Sequence, residues 1–147
     1  MEDRYLFRGK RIDTGEWVEG SFVTGVFFRL GQEIPYMFCP NLADYDCFED
    51  FSEENGIFEV EPSTICQCTG LKDKNGKMIW ENDIVKDKHG NLYKAFWQNN
   101  YYQFSFICVK SGIFQIGMKW NLWSMKSYEI EVVGNVLDNP ELLEVPE

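Results

Sequence analysis

Apolar and polar residues alternate at a period of two along most of this chain, in short runs cut by Gly, Asn, Asp and Pro. That is the pattern of half-buried strands joined by turns. Tyr5–Ile12 and Glu16–Thr24 flank Asp13-Thr14-Gly15 and predict an opening hairpin, with Gly20 and Gly25 as candidate bulges. Val26–Leu30 and Ile34–Phe38 flank Gly31-Gln32-Glu33 and predict a second hairpin. Pro35 has no N–H to donate, which places its strand on a sheet edge. Ile57–Val60 reads as a further strand, broken by Pro62-Ser63, and Thr64–Thr69 resumes extended structure.

The sharpest local code lies in Thr69–Lys86. Asn75-Gly76 predicts a tight two-residue turn, because both residues tolerate positive φ. Ile79-Trp80 starts a strand, Asn82-Asp83 turns the chain, and Ile84-Val85 re-enters the core as a β-branched pair. His89-Gly90-Asn91 turns it again before a strand over Leu92–Trp97, and Asn99-Asn100 makes the next turn. Tyr101–Lys110 alternates with Tyr102, Phe104, Phe106 and Cys108 on one face; Phe114, Ile116, Met118 and Trp120 alternate as another strand. A short helical turn is expected over Leu122–Met125, a closing strand over Tyr128–Leu137, and a last helical turn from Pro140, a residue suited to a first helical position. Short strands at this spacing suggest a meander that curls into a small barrel.

These stretches resemble the YopX family of phage and prophage proteins. The resemblance is carried by Thr69-Gly70-Leu71-Lys72-Asp73-Lys74-Asn75-Gly76-Lys77 followed by Trp80-Glu81-Asn82-Asp83-Ile84-Val85. It continues in Glu131-Val132-Val133-Gly134-Asn135-Val136 with Asn139-Pro140-Glu141-Leu142-Leu143, and in an opening Phe7-Arg8-Gly9-Lys10 with Trp17-Val18-Glu19-Gly20. The family has glycine where Asn82 stands; Asn is the next best residue for a left-handed backbone, so the turn is expected to survive. Residues 32–56 carry none of the resemblance. What the resemblance implies is an SH3-type barrel in the C-terminal half and no defined activity. The expected fold is therefore all-β, with N-terminal β-hairpins, a C-terminal SH3-type small barrel and few short helical turns. The expected domains are 1–61, carrying an acidic insertion, and 62–147.

Composition narrows the function. The 147 residues are 44% hydrophobic, enough for a packed core. No apolar run approaches a membrane span, and the start MEDRYLFRGK has no secretory h-region, so the expected location is the host cytoplasm. The net charge of −10 repels a phosphate backbone overall. Nucleic-acid binding would need a local basic patch, for which Lys72, Lys74, Lys77, Lys86 and Lys88 are the candidates. The acidic run from Asp44 to Glu54 suggests a solvated loop anchored by Tyr45, Phe48 and Phe51, with a surface for a basic partner or a DNA mimic as the sharper reading.

Candidate chemistry is sparse. Five cysteines, Cys39, Cys47, Cys66, Cys68 and Cys108, give an odd count without a metal-ligand spacing beyond the C-x-C of Cys66 and Cys68, so they read as small apolar side chains. Asp44 and Asp46 lack the glycine and terminal glutamate of an EF-hand loop. The one histidine, His89, sits in an expected solvent turn, and Glu81 and Asp83 read as turn residues before they read as an acid/base pair. No phosphate loop, nucleophile elbow or zinc-protease motif is present. The expectation is a protein that is not an enzyme, with no cofactor and no metal. With 12 Phe, 7 Tyr and 5 Trp, some aromatic side chains are expected at an interface. Trp97, Tyr101, Tyr102, Trp120 and Trp123 form the candidate binding surface. The expected role is a phage- or prophage-encoded accessory protein that assembles as a homo-oligomer or engages a host or phage protein. A nucleic-acid-associated regulator is the alternative.

Overall fold

The computed structural model describes residues 5–38 and 56–143. Eleven strands are named among them. These are β1 (Phe7–Lys10), β2 (Trp17–Arg29), β3 (Gln32–Phe38), β4 (Ile57–Glu59), β5 (Cys66–Lys72), β6 (Met78–Trp80), β7 (Asp83–Lys86), β8 (Leu92–Gln98), β9 (Gln103–Lys110), β10 (Lys119–Asn121) and β11 (Glu131–Asn135). A single α-helical turn, α1, spans Leu122–Met125, and short 3-10 turns lie at Pro62–Thr64, Lys126–Tyr128 and Pro140–Leu143. Hydrogen bonding orders the strands into two open antiparallel sheets, β4-β3-β2-β1-β5-β6 and β10-β9-β8-β7-β11. The expected SH3-type barrel is therefore not formed: the second sheet ends at β10 on one side and β11 on the other, and these two strands do not pair. The fold is mainly β, but open. No helix among the described residues is long and apolar enough to cross a membrane.

The chain divides into two compact units between Gln67 and Cys68, inside β5. In the first unit β1 pairs with β2 from Phe7↔Gly20 to Lys10↔Trp17, and with β5 at Phe7↔Gln67 and Arg8↔Cys66. The second expected hairpin is continuous with the first, because β2 runs through Gly25 without breaking. Its register to β3 shifts between Val23 and Phe27, so Pro35 lies opposite the bulge. A bulge forgives a missing N–H as well as an edge does, which corrects the expectation that β3 lies on an edge: it pairs on its other side with β4. Ile34, Met37, Ile57 and Val60 are buried here. The acidic run, Cys39, Cys47 and the Asp44/Asp46 pair lie outside the described residues.

The second unit packs around Ile79, Val85, Tyr93, Ala95, Phe106, Cys108, Met125 and Ile130. Two hairpin turns share one code. In Asp73-Lys74-Asn75-Gly76-Lys77 the backbone closes by Asp73 N–H to Lys77 O (2.8 Å), and in Asp87-Lys88-His89-Gly90-Asn91 by Asp87 N–H to Asn91 O (3.1 Å). Only the glycine is left-handed in each, at φ 81° and 86°, so these are longer turns than the two-residue turn that Asn75-Gly76 suggested. The aspartate at the first position holds each turn. Asp73 Oδ1 accepts from Asn75 N–H and Lys77 N–H, both at 2.9 Å, and Asp87 Oδ1 accepts from His89 N–H and Asn91 N–H. Asn82 takes the left-handed backbone expected of it (φ 70°), and the buried Asp83 accepts from Trp80 N–H across that turn (2.8 Å).

Asp73 also reaches beyond its own turn. Its Oδ2 accepts from Val132 N–H on β11 at 3.0 Å, next to a backbone bond from Lys74 N–H to Ile130 O. Further along, Asn135 Oδ1 accepts from Leu137 and Asp138 N–H, and Asn139 Oδ1 accepts from Asn135 N–H. This curl leaves no room for a side chain at Gly134, where a Cβ would stand 2.5 Å from Asn139 Oδ1. Gly134→Ala is expected to cost about 1–3 kcal/mol, read as a lower urea midpoint at unchanged slope.

Burial alone would raise the Asp73 carboxyl; the bonds from Val132, Lys77 and Asn75 outweigh it and hold the group below the usual carboxylate range. A folded-state value below the unfolded one, about 3.9, stabilises the fold above that pH, and the contribution is lost as pH falls through the folded value. Asp73→Asn sets an amide N–H against Val132 N–H, and is expected to cost about 2 kcal/mol at neutral pH. The same variant should flatten the loss of stability below about pH 4. An unchanged acid limb in chemical denaturation would remove Asp73 from this role.

Candidate binding surface

Between Lys94 and Lys110 the chain has no charged residue. This stretch folds as the β8–β9 hairpin, paired from Leu92↔Lys110 out to Gln98↔Gln103. Its neighbours stop earlier. β7 pairs with β8 at Leu92–Lys94, followed by one bond from Asn82 N–H to Ala95 O, and β10 pairs with β9 at Ser105, Phe106 and Ile107. The outer part of the hairpin, from Phe96 to Phe104, is thus a two-stranded ribbon beyond the strands that flank its base. Trp97 and Phe104 face each other across it with rings edge to face at 5.0 Å. On the other face Ser105 Oγ donates to Gln98 Oε1 (2.8 Å) and Gln103 Nε2 donates to Ser105 Oγ (3.3 Å).

The turn takes four residues, not the expected two, so Tyr101 and Tyr102 leave the strand and stand in solvent. Tyr102 is 83% exposed with φ 50°, and Trp97 is 40% exposed. The remaining two candidates lie apart from these in the chain. Trp120, on β10, turns inward and meets Tyr93 edge to face at 5.1 Å and Phe114 at 5.2 Å, so it belongs to the border of the core. Trp123, on α1, is 82% exposed and lines a groove of about 470 Å³ with Ser124, Lys126 and Tyr128. The sequence reading missed Ile113, Ile116 and Met118. Ile116 and Met118 are expected on a strand, but all three are exposed in an irregular segment before β10. Ser111 Oγ accepts from Ile113 N–H and Phe114 N–H there, capturing donors a ladder would need.

The buried aspartates are engaged in structure. Asp87 Oδ2 accepts from the Tyr93 hydroxyl and from Asn91 Nδ2, both at 2.8 Å. Burial would raise Asp87, but the bonds from Asn91, Tyr93 and His89 hold it low; burial and the nearby Asp87 push Tyr93 far above the usual tyrosine range. Burial also raises the Cys108 thiol, which disfavours the thiolate that nucleophilic chemistry needs. Cys66 Sγ lies 3.3 Å from Thr64 O, and Cys68 Sγ lies 3.9 Å from Ile79 O; both side chains are buried. His89 is exposed in its turn. Among the described residues no three His, Cys, Asp or Glu side chains gather as a metal site. The five candidate lysines are exposed, but Lys74 pairs with Glu131 (3.6 Å), and Lys86 stands opposite the same Glu131 between β7 and β11.

The family model described as YopX protein matches residues 6–144. Among solved structures the chain is similar to the crystal structure of protein EF1440 from Enterococcus faecalis, at 21% identity, with 94% of this chain and 96% of that chain covered and a TM-score of 0.48. No curated protein sequence matches significantly.

Alanine substitution separates core aromatics from surface ones. Trp120→Ala is expected to cost about 2–4 kcal/mol through lost contact with Tyr93 and Phe114, whereas Trp123→Ala should stay within about 0.5 kcal/mol of the parent. Equal losses in thermal or urea denaturation would contradict this division.

Proposed function

The chain belongs to the YopX family, and from that premise we propose that it is a phage- or prophage-encoded accessory protein that works in the host cytoplasm by binding protein rather than by catalysis. Its partners are further copies of itself and a host or phage protein. The observation that carries this reading is the exposure of Trp123 and Tyr102, each more than four-fifths open to solvent, in a unit whose core is already filled by Tyr93, Phe106 and Met125. Trp and Tyr at the surface supply large contact area with little side-chain entropy to lose, and such residues anchor protein interfaces. The buried carboxylates support the non-catalytic part of the reading: Asp73, Asp83 and Asp87 are committed to backbone and side-chain donors of their turns.

The nucleic-acid reading rests on Lys72, Lys74, Lys77, Lys86 and Lys88, and it is the weaker of the two. Glu131 sits beside two of these lysines, and the chain as a whole carries a charge of −10. A mobility shift at low salt, where phosphate contacts are strongest, would favour it.

A pull-down from nuclease-treated host lysate with the tagged protein tests the main reading. It is expected to retain untagged copies or one enriched protein, with a loss of that retention in Trp123→Ala or Tyr102→Asn. Retention of nothing above background would set the reading aside; equal retention by both variants would remove Trp123 and Tyr102 from the contact.

A further inference from the structure

We propose that the outer β8–β9 ribbon is the contact between two copies of this chain, arm against arm; this rests on the self-assembly reading above. Four observations lead to it. First, the ribbon outruns its neighbours, so its long edges carry backbone groups that no flanking strand of its sheet pairs. Asn82 N–H donates to Ala95 O from the β7 side, and the two-residue alternation of a strand puts the N–H and C=O of Trp97 on that same edge, one step past the end of β7. An edge of this kind is a template for a further strand.

Second, the ribbon is neutral. In a chain of net charge −10, two copies repel one another, and a contact face needs few like charges. Residues 95–109 meet that need, carrying no charge at all. Third, its side chains are those of interface cores, with Trp97 and Phe104 on one face and Tyr101 and Tyr102 at the tip. Fourth, Tyr102 is held at φ 50°, a left-handed backbone that Asn or Gly adopts without strain and an aromatic residue does not. The strain brings no packing within the chain, because the side chain is exposed. A second arm laid alongside gives that side chain its contacts. The pairing is isologous, since the same ribbon is offered from both sides.

The experiment is light scattering across a concentration series on the full chain, for the parent, Tyr102→Asn and Trp97→Lys, with circular dichroism melts alongside. Tyr102→Asn relieves the strained backbone and should melt no lower than the parent; Trp97→Lys places a like charge on each facing edge. The expected result is a dimer whose dissociation constant rises at least about tenfold in Tyr102→Asn, the effect of losing one aromatic anchor, and a monomer in Trp97→Lys. An oligomer that persists unchanged in both folded variants overturns the arm contact and leaves self-assembly standing. A parent that stays monomeric at the highest soluble concentration overturns the arm and self-assembly together, and so does a monomer whose arm instead binds a different protein.

Discussion

The carboxylate of Asp73 stands where a strand partner would otherwise stand on β11. One oxygen closes its own turn through Asn75 and Lys77, and the other takes the N–H of Val132. A charged acceptor satisfying three backbone donors at a buried position is strong because the same donors left unpaired would be costly. Two of the stretches that carry the family resemblance, Thr69–Lys77 and Glu131–Val136, meet at this one side chain. Asp83 repeats the device on Trp80, and Asp87 repeats it with Asn91 and Tyr93. Three aspartates set three successive turns, and the strands between them follow.

This arrangement explains why the sheet is open. The Asp73 turn covers the outer edge of β11 with a side chain and a single backbone bond, from Lys74 to Ile130, rather than with a strand. The curl at Gly134, Asn135 and Asn139 occupies the next residues. With β11 covered in this way, β10 and β11 do not pair, and at the other side of the sheet the β8–β9 hairpin extends past β10.

Local code was legible in the sequence where a residue acts on its own neighbours. Asn82 took positive φ, Pro140 began the last turn, and Leu122–Met125 formed a helical turn capped by Asn121. What the sequence hid depends on distant partners. Val132 lies 59 positions from Asp73, and nothing in the D-x-x-G spacing announces the second bond. Barrel closure is likewise a long-range matter, which alternation along single strands does not decide. Pro35 was misread because a bulge and an edge both accept a missing N–H. The run from Phe114 to Met118 alternates like a strand, yet the Ser111 hydroxyl takes the N–H groups of Ile113 and Phe114. Trp120 and Trp123 stand three residues apart and part company because the strand ends at Asn121, and the helical turn that follows swings Trp123 outward. For the candidate surface, composition pointed to excess aromatics and to Trp97, Tyr101, Tyr102, Trp120 and Trp123 together; the structure places Trp97, Tyr101 and Tyr102 on one hairpin and Trp120 and Trp123 elsewhere. The missing charge over residues 95–109 was the stronger signal, available in the sequence but meaningful only once the hairpin was seen to outrun its neighbours.

The aspartates fix a frame, and the neutral aromatic ribbon that stands out from it is the contact proposed above. The most direct measurement is hydrogen exchange of the full chain at low and high protein concentration. The account predicts that protection rises with concentration at the amides of residues 96–104, Trp97 above all, and stays constant at Val85, Tyr93 and Phe106 in the core. Exchange in the ribbon that is independent of concentration, or a concentration-dependent change confined to other segments, would contradict it.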